Sequence, residues 1–347
     1  MKHINIINNK ILAYYKDNKR PLPWRTSQDN NQNPYFTLVS EIMLQQTQVK
    51  TALSYYKRFI KKWPTIEKLA YADLDEVLVM WSGLGYYNRA KNLLKTAKIV
   101  LKKYNKVIPS NRDSLLNLPG IGEYTAAAIR SFAFGKHEVA LDTNVKRFIV
   151  RVYGLDDSIL ANYKKIAFYG LKVFPKNNSG RFAQAVMDFS SAVCTKVNPS
   201  CQNCFLRKNC KYSEKSIVNS RKLSSKRVKK KYSIVQLYLF KKKYFFLKKR
   251  PLHKMLGGLY EVPGSKWKVD AWPDFPKNFK EKHFIPGIIN YKFSHFELKT
   301  RVIIIHLRIK NLEQQEGKWV SQEDLNQIPV STLTKRIIAH SLKYVAL

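Results

Sequence analysis

The sequence contains few acidic residues for its length. It has 24 Asp and Glu against 63 Lys and Arg, which gives a formal net charge of +39 over 347 residues. This excess of positive charge favours a polyanionic partner, nucleic acid before membrane. Asn, Ile and Lys are abundant throughout, as an AT-rich coding sequence would produce, so the charge supports a nucleic-acid partner without establishing one.

The sequence also lacks a long apolar run. No stretch is long enough to span a bilayer, and the first residues, MKHINIINNKILAYY, are interrupted by Asn and Lys, unlike a signal peptide. We therefore expect a cytoplasmic, nucleoid-associated protein with no membrane partner. With 45% hydrophobic residues the chain can bury a substantial core, and its length predicts two or three domains.

Cysteine is absent except in one short segment, where four residues are spaced C-x6-C-x2-C-x5-C: Cys194, Cys201, Cys204 and Cys210. Disulfides are disfavoured in the reducing compartment expected for this chain. Zinc sites made of four cysteines also use a C-x2-C step, and an iron–sulfur cluster also takes four thiolates. The spacing alone leaves zinc and an iron–sulfur cluster as alternatives.

A tight turn followed by a helix lies between residues 118 and 144. The run Leu-Pro-Gly-Ile-Gly predicts a turn that most side chains could not enter. An alanine-rich helix is predicted over residues 124–134, and a short apolar segment precedes the turn, so the pattern is helix, hairpin, helix. The amides of Gly120 and Gly122 would lie at a helix N-terminus, where they could bind a phosphate. Asp142 precedes the next helix, either as a simple N-cap or as a functional carboxylate.

A further helix is predicted over residues 38–60 from the spacing of its apolar residues. Glu41 has apolar neighbours in this helix. It is either a paired or solvated acid, or a pocket acid whose pKa is raised by desolvation so that its proton remains available near neutral pH. Helices are also predicted over residues 69–81, 89–104 and 163–174. Tyr86, at a Gly-rich bend between the first two, could wedge into a base stack or simply pack.

The composition changes after Cys210. Residues 213–230 are rich in Ser, Lys and Arg and predict a linker. Strands are predicted over residues 232–240, 244–247 and 302–309, which indicates an α+β domain over 231–347. The run LGGLYEVPG at 256–264 resembles the entry to a Nudix-type fold. Residues 267–282 hold only scattered acids and two prolines, so we expect no magnesium-binding acidic helix and no pyrophosphatase activity.

Several motifs together carry a family resemblance: SEIMLQQTQV, GLGYYNRA, LPGIGEYTAAAI, LDTNVKR and the cysteine spacing. They resemble the endonuclease III superfamily of helix-hairpin-helix DNA glycosylases, and within it the adenine-removing branch. The resemblance implies an all-α glycosylase domain over residues 1–212, with the four cysteines binding a [4Fe–4S] cluster, followed by a Nudix-like domain. It implies removal of adenine opposite 8-oxoguanine or guanine in double-stranded DNA.

The resemblance also implies roles for three polar residues. Glu41 matches the acid that protonates the leaving purine, Asp142 matches the anion that stabilises the sugar cation, and Asn144 is expected to orient one of them. This pairing parallels the carboxylate pairs of glycoside hydrolases. Tyr124 stands where bifunctional members carry a lysine nucleophile, and a phenol cannot form a Schiff base, so a monofunctional enzyme is expected. The family usually has LDGN, whereas this chain has Thr143 in place of the glycine.

The remaining site residues rest on shorter motif matches. Gln46 and Tyr86 are expected to fill or wedge the gap left by the flipped base. The adenine pocket is expected to be lined by Trp24, Arg25 and Gln184. Recognition of 8-oxoguanine is expected from Phe293, Ser294 and His295. Two other interpretations remain open from the sequence. One is a thymine or pyrimidine-lesion glycosylase of the same superfamily, and the other is a non-catalytic helix-hairpin-helix DNA-binding protein.

Overall fold

The computed structural model describes residues 2–25, 32–212, 228–274, 284–310 and 317–345. Tertiary contacts divide the chain into two units, Met1–Tyr71 with Asn92–Lys222, and Ala72–Lys91 with Leu223–Leu347. The first unit is helical and the second is built on a mixed sheet. The sequence places residues 72–91 in the helical domain, whereas their contacts place them in the second unit.

The helical unit is formed by short and medium helices joined by tight turns. In chain order its helices are α1 (Lys2–Asn18), α2 (Pro34–Leu44), α3 (Val49–Lys62), α4 (Ile66–Ala70), α6 (Asn88–Lys103), α7 (Arg112–Leu116), α8 (Glu123–Phe134), α9 (Thr143–Tyr153), α10 (Tyr163–Val173) and α11 (Ser179–Ala192). The first residues of α6 belong to the second unit.

A continuous apolar core joins α1, α8, α9, α10 and α11. Ile7, Ile11, Phe148 and Phe182 are almost completely buried in it. Burial of each such side chain stabilises the fold by about 1.5–3 kcal/mol. The helix starts follow the expected chemistry, because the side chain of Asn111 caps α7 by accepting from a backbone amide.

The helix predicted over residues 38–60 is wrong in one respect, because the structure divides it into α2 and α3. Gln46 lies between them with φ +57°, a left-handed conformation that cannot continue a helix. The apolar spacing resumes after the turn and therefore hides the break. The helix predicted over 69–81 is likewise two helices, α4 and α5 (Leu74–Met80). The helices predicted over 89–104, 124–134 and 163–174 are confirmed to within a residue at each end.

Among its described residues, the second unit holds a seven-stranded sheet packed on a C-terminal helix. Its strands are β1 (Lys229–Phe240), β2 (Tyr244–Lys249), β3 (Tyr260–Glu261), β4 (Lys268–Val269), β5 (Ile289–Lys292), β6 (Phe296–Leu307) and β7 (Gly317–Val320), and its helix is α12 (Thr332–Leu342). The central order is β3-β2-β1-β6-β5, with β4 beside β1 and β7 beside β2. The β1–β6 pair is parallel and the other pairs are antiparallel.

One face of the sheet forms the core of this unit. Leu237, Leu239, Leu298 and Ile338 are buried in it, so α12 covers this face. The predicted strands are confirmed, with the third beginning earlier, at Phe296. Most of the predicted linker (213–227) and part of the acid-poor segment (275–283) lie outside the described residues. Within the described chain no helix combines the length and apolarity needed to cross a membrane.

Candidate active site

Glu41 lies in the last turns of α2 and is 6% exposed. Its pKa is raised from 4.5 to about 7, mainly by burial and to a lesser extent by the nearby charge of Asp142. A hydrogen bond with Tyr124 and the positive charge of Arg25 act in the opposite direction. The carboxyl is thus buried, as the interpretation of a desolvated acid requires, and it is also paired with Tyr124. Its role as a proton donor stays a prediction.

Tyr124 is the second residue of α8 and its hydroxyl is hydrogen-bonded to the Glu41 carboxyl. Burial, together with the charges of Glu41 and Asp142, raises the pKa of the phenol well above its usual value of 10.0. The phenol therefore stays protonated and donates to Glu41. Packing of α2 against α8 brings these two side chains together.

The hairpin before α8 depends on glycine at one position. Gly120 has φ +80°, and a Cβ there would lie 2.9 Å from the Cβ of Asn92. Both the backbone conformation and the close approach exclude larger residues. Gly122 is the N-cap of α8, and no side chain caps the helix there. The first-turn amides of α8 therefore begin at a glycine, as a phosphate-binding hairpin requires.

Asp142 is the N-cap of α9, as predicted, and it is also an electrostatic neighbour of Glu41. Its Oδ1 accepts from the Val145 amide at 2.6 Å, and its Oδ2 accepts from Asn144 Nδ2 at 2.8 Å. Burial raises the pKa of Asp142, while these bonds and the charge of Arg147 lower it. Both readings of Asp142 that the sequence allowed, cap and functional carboxylate, are therefore compatible with one geometry.

Asn144 is fixed from both sides. Its Nδ2 donates to Asp142, and its Oδ1 accepts from Arg147 Nη2 at 2.9 Å. The same arginine donates through Nη2 to the Ser190 carbonyl at 2.7 Å and through Nε to the Cys194 carbonyl at 2.8 Å. A chain of hydrogen bonds therefore runs from the carboxylate of Asp142 to the start of the cysteine segment. The sequence gives no signal for the role of Arg147.

Two of the residues predicted to line the adenine pocket are held by polar partners. Gln184 is buried and its Oε1 accepts from the Tyr15 hydroxyl at 3.0 Å. Arg25 forms a bidentate pair with Asp188, with Nη1–Oδ2 at 2.7 Å and Nη2–Oδ1 at 3.0 Å. Asp188 was missed from the sequence, although an acid four residues after Gln184 in a largely apolar helix is the kind of pattern that reveals a buried ion pair.

Trp24, the third of these residues, packs in the core. It is 6% exposed, and its ring lies edge-on to Tyr56 of α3 with 5.1 Å between centroids. The indole therefore supports the helical unit through Tyr56, and contact with a flipped base stays a prediction.

The two residues predicted to fill the gap left by the base belong to different units. Gln46 is exposed in the turn between α2 and α3. Its neighbour Gln45, which the sequence did not single out, donates through Nε2 to the Gly120 carbonyl at 3.4 Å and so ties this turn to the hairpin. Tyr86 has φ +50° and is 46% exposed, with the guanidinium of Arg89 5.4 Å from its ring centroid. Both are therefore presented at turns.

The four cysteines line one cavity of about 50 Å³, together with apolar residues from α9 and α11. Arg151 Nη1 donates to Cys194 Sγ at 3.2 Å, and Arg207 also lines the cavity. Within the described residues, no three potential ligand side chains converge on a single ion position. A set of four thiols with adjacent cations fits a group that takes four thiolates and carries net negative charge.

The turn between β5 and β6 carries the predicted Phe-Ser-His triplet. Phe293 is stacked on Phe296 with 4.6 Å between centroids and contacts Trp267 at 5.5 Å. Ser294 and His295 form the exposed tip, and Ser294 Oγ lies 3.0 Å from His295 Nδ1. A cluster of aromatic side chains thus supports the two polar side chains, which face solvent.

Two buried carboxyl groups thus lie beside a helix-hairpin-helix element, and the comparisons place this fold in the class of base-excision DNA glycosylases. The profile of HhH-GPD superfamily base excision DNA repair proteins matches residues 39–176, and that of the NUDIX domain matches residues 235–340. The chain is 40% identical over 339 residues to the adenine DNA glycosylase of Buchnera aphidicola subsp. Baizongia pistaciae, with 95% of each chain covered. It belongs to the adenine DNA glycosylase family and excises adenine from DNA in base excision repair.

The helical unit is also similar to solved glycosylases. A thermostable thymine-DNA glycosylase matches with a TM-score of 0.56 and 31% identity, over 62% of this chain and 98% of that one. An endonuclease III trapped in a covalent intermediate with DNA matches with a TM-score of 0.52 and 26% identity, over the same shares. Because the relative matched over nearly its whole length removes adenine, the thymine and non-catalytic interpretations of the sequence are wrong.

Proposed function

We propose that this adenine DNA glycosylase acts on adenine paired with 8-oxoguanine or guanine in duplex DNA, with Glu41, Asp142 and Asn144 as its catalytic residues. The observation that carries the proposal is the buried pair formed by Glu41 and Asp142 beside the hairpin, in which Asp142 accepts bonds from a backbone amide and from the Asn144 side chain. Two neighbouring carboxyls in unlike surroundings are typical of sites where one acts as an acid and the other as an anion.

The chemistry follows from that difference in surroundings. Glu41, with a pKa of about 7, carries a proton when the substrate arrives near neutral pH. Burial raises the pKa of Asp142 as well, but the bonds from Val145 and Asn144 oppose that rise and stabilise its ionised form. Glu41 donates its proton to the ring nitrogen of adenine, and the bonding pair of the N-glycosidic bond leaves with the base. Asp142 stabilises the resulting oxocarbenium ion until water adds at C1′ and releases a proton. Asn144 orients Asp142.

The product is an abasic site in an intact strand. Tyr124 occupies the position just after the hairpin and donates to Glu41, so no amine is available there for a Schiff base. Gly120 and Gly122 present backbone amides to a phosphate of the bound strand. Gln46 and Tyr86 fill or wedge the space that the flipped base leaves, and Trp24, Arg25 and Gln184 support the adenine pocket.

The second unit recognises the base opposite adenine through the β5–β6 turn. 8-Oxoguanine differs from guanine by a carbonyl oxygen at C8 and a proton at N7. The hydroxyl of Ser294 can both accept and donate, and so suits that edge. One such bond contributes about 0.5–1.5 kcal/mol, or up to roughly tenfold in preference. His295 holds the hydroxyl, and Phe293 anchors the turn.

Single-turnover rates on 8-oxoguanine:adenine, guanine:adenine and thymine-containing mispairs test the proposal. Glu41→Gln should keep duplex binding and lose about 10²–10⁴-fold in adenine release, because an amide cannot supply the proton. Asp142→Asn should lose activity without loss of stability, since Asn also caps helices well. A parental rate for Glu41→Gln, or strand breaks before alkali treatment, would contradict the mechanism.

The same assay also tests the proposed recognition of the base opposite adenine. Ser294→Ala should lower the ratio of rates on 8-oxoguanine:adenine and guanine:adenine by up to about tenfold. The double variant Ser294→Ala, His295→Ala should lower it further. Ser265→Ala, at a hydroxyl that bonds the Ile234 amide inside the sheet, is the control and should leave the ratio unchanged. An unchanged ratio in the double variant rejects the turn as the recognition element.

The four cysteines, Cys194, Cys201, Cys204 and Cys210, are proposed to hold a [4Fe–4S] cluster. Such a cluster would join the two ends of the segment after α11, and Arg151 of α9 would offset its negative charge. Protein purified without oxygen should be yellow-brown and contain about four irons. Stoichiometric zinc without iron in that preparation contradicts the assignment and favours the zinc alternative.

A further inference from the structure

Lysines gather on one face of the C-terminal sheet, next to the turn that carries Ser294 and His295. The register places Lys268 of β4 opposite Tyr232 of β1, and Tyr232 opposite Lys299 of β6. Directly paired residues project from the same face of a sheet. Lys230 and Lys292, both paired with Glu297, lie two residues further along their strands and therefore project from this face too.

These four residues, Lys230, Lys268, Lys292 and Lys299, form what we call the basic sheet face. Three of them are exposed and Lys299 is half-buried. The face is opposite the one that α12 covers, because the core residues Leu298 and Phe296 alternate with Lys299 and Glu297 along β6.

The charge of this face is only partly balanced by the described residues. Glu297 lies between Lys230 and Lys292, and Lys268 is 3.9 Å from the fully exposed carboxylate of Asp274. No two of the four lysines are directly paired across strands, so the face carries net positive charge without placing like charges opposite one another. This net charge is complementary to that of a polyanion.

Aromatic and cationic side chains border the lysines on the same face. Tyr232 lies edge-on to Trp272 at 5.0 Å, and the guanidinium of Arg301 lies 4.6 Å from the Trp272 ring centroid. These contacts place aromatic rings and a guanidinium group beside the lysines, of which Lys230, Lys268 and Lys292 are exposed to solvent.

The dimensions of the face match one strand of duplex DNA. The four adjacent strands β4, β1, β6 and β5 are spaced about 4.8 Å apart, so the face is about 14 Å wide. One strand of DNA carries a charge about every 3.4 Å along the helix axis, and its backbone winds around that axis, so a face of this width can contact several phosphates of one strand. Lys292 is two residues from Ser294, so a strand whose base meets Ser294 has its backbone within reach of the face.

We propose that the basic sheet face binds the phosphates of the DNA strand that carries the base opposite adenine. This inference rests on the proposed role of the β5–β6 turn. It adds a sequence-independent phosphate contact to the base recognition by that turn. Phosphate contacts fix register and orientation and carry no base information. The face would therefore hold the strand in position while Ser294 and His295 discriminate between 8-oxoguanine and guanine.

The salt dependence of binding tests the proposal. Full-length protein carrying Glu41→Gln, which binds without excision, is titrated with an 8-oxoguanine:adenine duplex between about 50 and 200 mM salt. Lys230→Gln, Lys268→Gln, Lys292→Gln and Lys299→Gln together should reduce the slope of log K against log salt by about 0.9 per contact, or about 3.6 in total. Over that range the parent should lose about 100-fold more affinity than the variant.

The matched control replaces three lysines at the opposite end of β1, in its turn to β2: Lys241→Gln, Lys242→Gln and Lys243→Gln. It should leave the slope unchanged. The four Lys→Arg substitutions should keep the parental slope, and the four Lys→Gln substitutions should not lower the melting temperature. The proposal is overturned if the slope of log K against log salt changes by less than the value expected for one contact, about 0.9. It is also overturned if the control variant changes the slope by the same amount per lysine.

The rate ratio on the two mispairs separates this proposal from that of the turn. The Lys→Gln variant, with Glu41 intact and enzyme saturating, should keep the parental ratio of 8-oxoguanine:adenine to guanine:adenine rates. Ser294→Ala with His295→Ala should change the ratio and keep the slope. If the turn variant keeps the parental rate ratio, the proposed recognition by the turn is wrong. The salt dependence of binding still tests phosphate binding by the basic sheet face.

Discussion

At the scale of single residues, burial of Glu41 couples activity to stability. Its pKa rises from 4.5 to about 7 on folding, so the folded state binds more protons than the unfolded state between these values. The free energy of unfolding therefore decreases as pH rises through this window. A shift of this size corresponds to about 3 kcal/mol at pH values above the window. The proposed catalytic acid thus costs stability where it ionises.

We predict that the single-turnover rate of adenine release falls about tenfold per pH unit above about pH 7, because only protonated Glu41 acts as the acid. The residual rate of Glu41→Gln should not show this decrease above about pH 7. It should also become more stable relative to the parent by about 3 kcal/mol between pH 4.5 and values above 7, as measured by denaturant unfolding. Glu123→Gln, an exposed acid at the start of α8, is the control. A parallel pH dependence of stability in parent and Glu41→Gln would contradict the assignment.

At the scale of elements, the turn between α2 and α3 connects the acid to the hairpin. Glu41 lies near the end of α2, Gln45 bonds the Gly120 carbonyl from its C-cap, and Gln46 adopts a left-handed conformation beyond it. That conformation costs a non-glycine residue about 1–2 kcal/mol. A side chain kept in such a conformation is consistent with a functional demand on its position.

We therefore predict opposite effects of Gln46→Gly on stability and activity. Removing the Cβ should raise the free energy of unfolding by roughly 0.5–1 kcal/mol, because glycine enters this region without steric cost. Adenine release should slow, because no side chain remains to fill the space left by the base. Asn105→Gly, also at positive φ, is the control and should leave the rate unchanged. An unaltered rate for Gln46→Gly would show that the side chain has no role in base release.

At the scale of the whole molecule, the boundary between units does not follow the boundary between sequence domains. Residues 72–91 contain α5 and the Gly-rich bend of Tyr86, yet their contacts belong to the second unit. Lys249 Nζ lies 2.8 Å from both oxygens of Asp75, and Lys91 Nζ donates to the Leu252 carbonyl at 2.9 Å. A segment that carries a proposed DNA contact thus depends on the C-terminal half.

A chain truncated after Tyr212 should therefore lose amide protection in residues 72–91. The loss follows from removal of the Lys249–Asp75 pair and of the bond from Ser82 Oγ to the Val330 carbonyl at 3.0 Å. Helices α8 and α9, whose core is separate, should keep their protection. Hydrogen exchange measured by peptide mass spectrometry tests this, with α8 peptides as the internal control. Equal protection of 72–91 in both chains would show that the segment is stable without the second unit.

The sequence by itself determined the elements whose signals are local. The glycines of the hairpin, the capping position of Asp142 and three strands of the second unit (β1, β2 and the later part of β6) are set by backbone sterics, capping chemistry and short-range patterning. The four cysteines are likewise identified by spacing. The motifs identified the family because they combine many such local signals.

Only the tertiary structure decided which of these residues meet. The pKa of Glu41 depends on its burial and on its contact with Tyr124 of α8, and that helix is distant from Glu41 in sequence. The pairing of Arg25 with Asp188 joins residues that are 163 positions apart. The left-handed turn at Gln46 was hidden because apolar periodicity resumes beyond it. Proton affinity, ion pairing and the partners of residues 72–91 arise from long-range packing, which periodicity and composition do not encode.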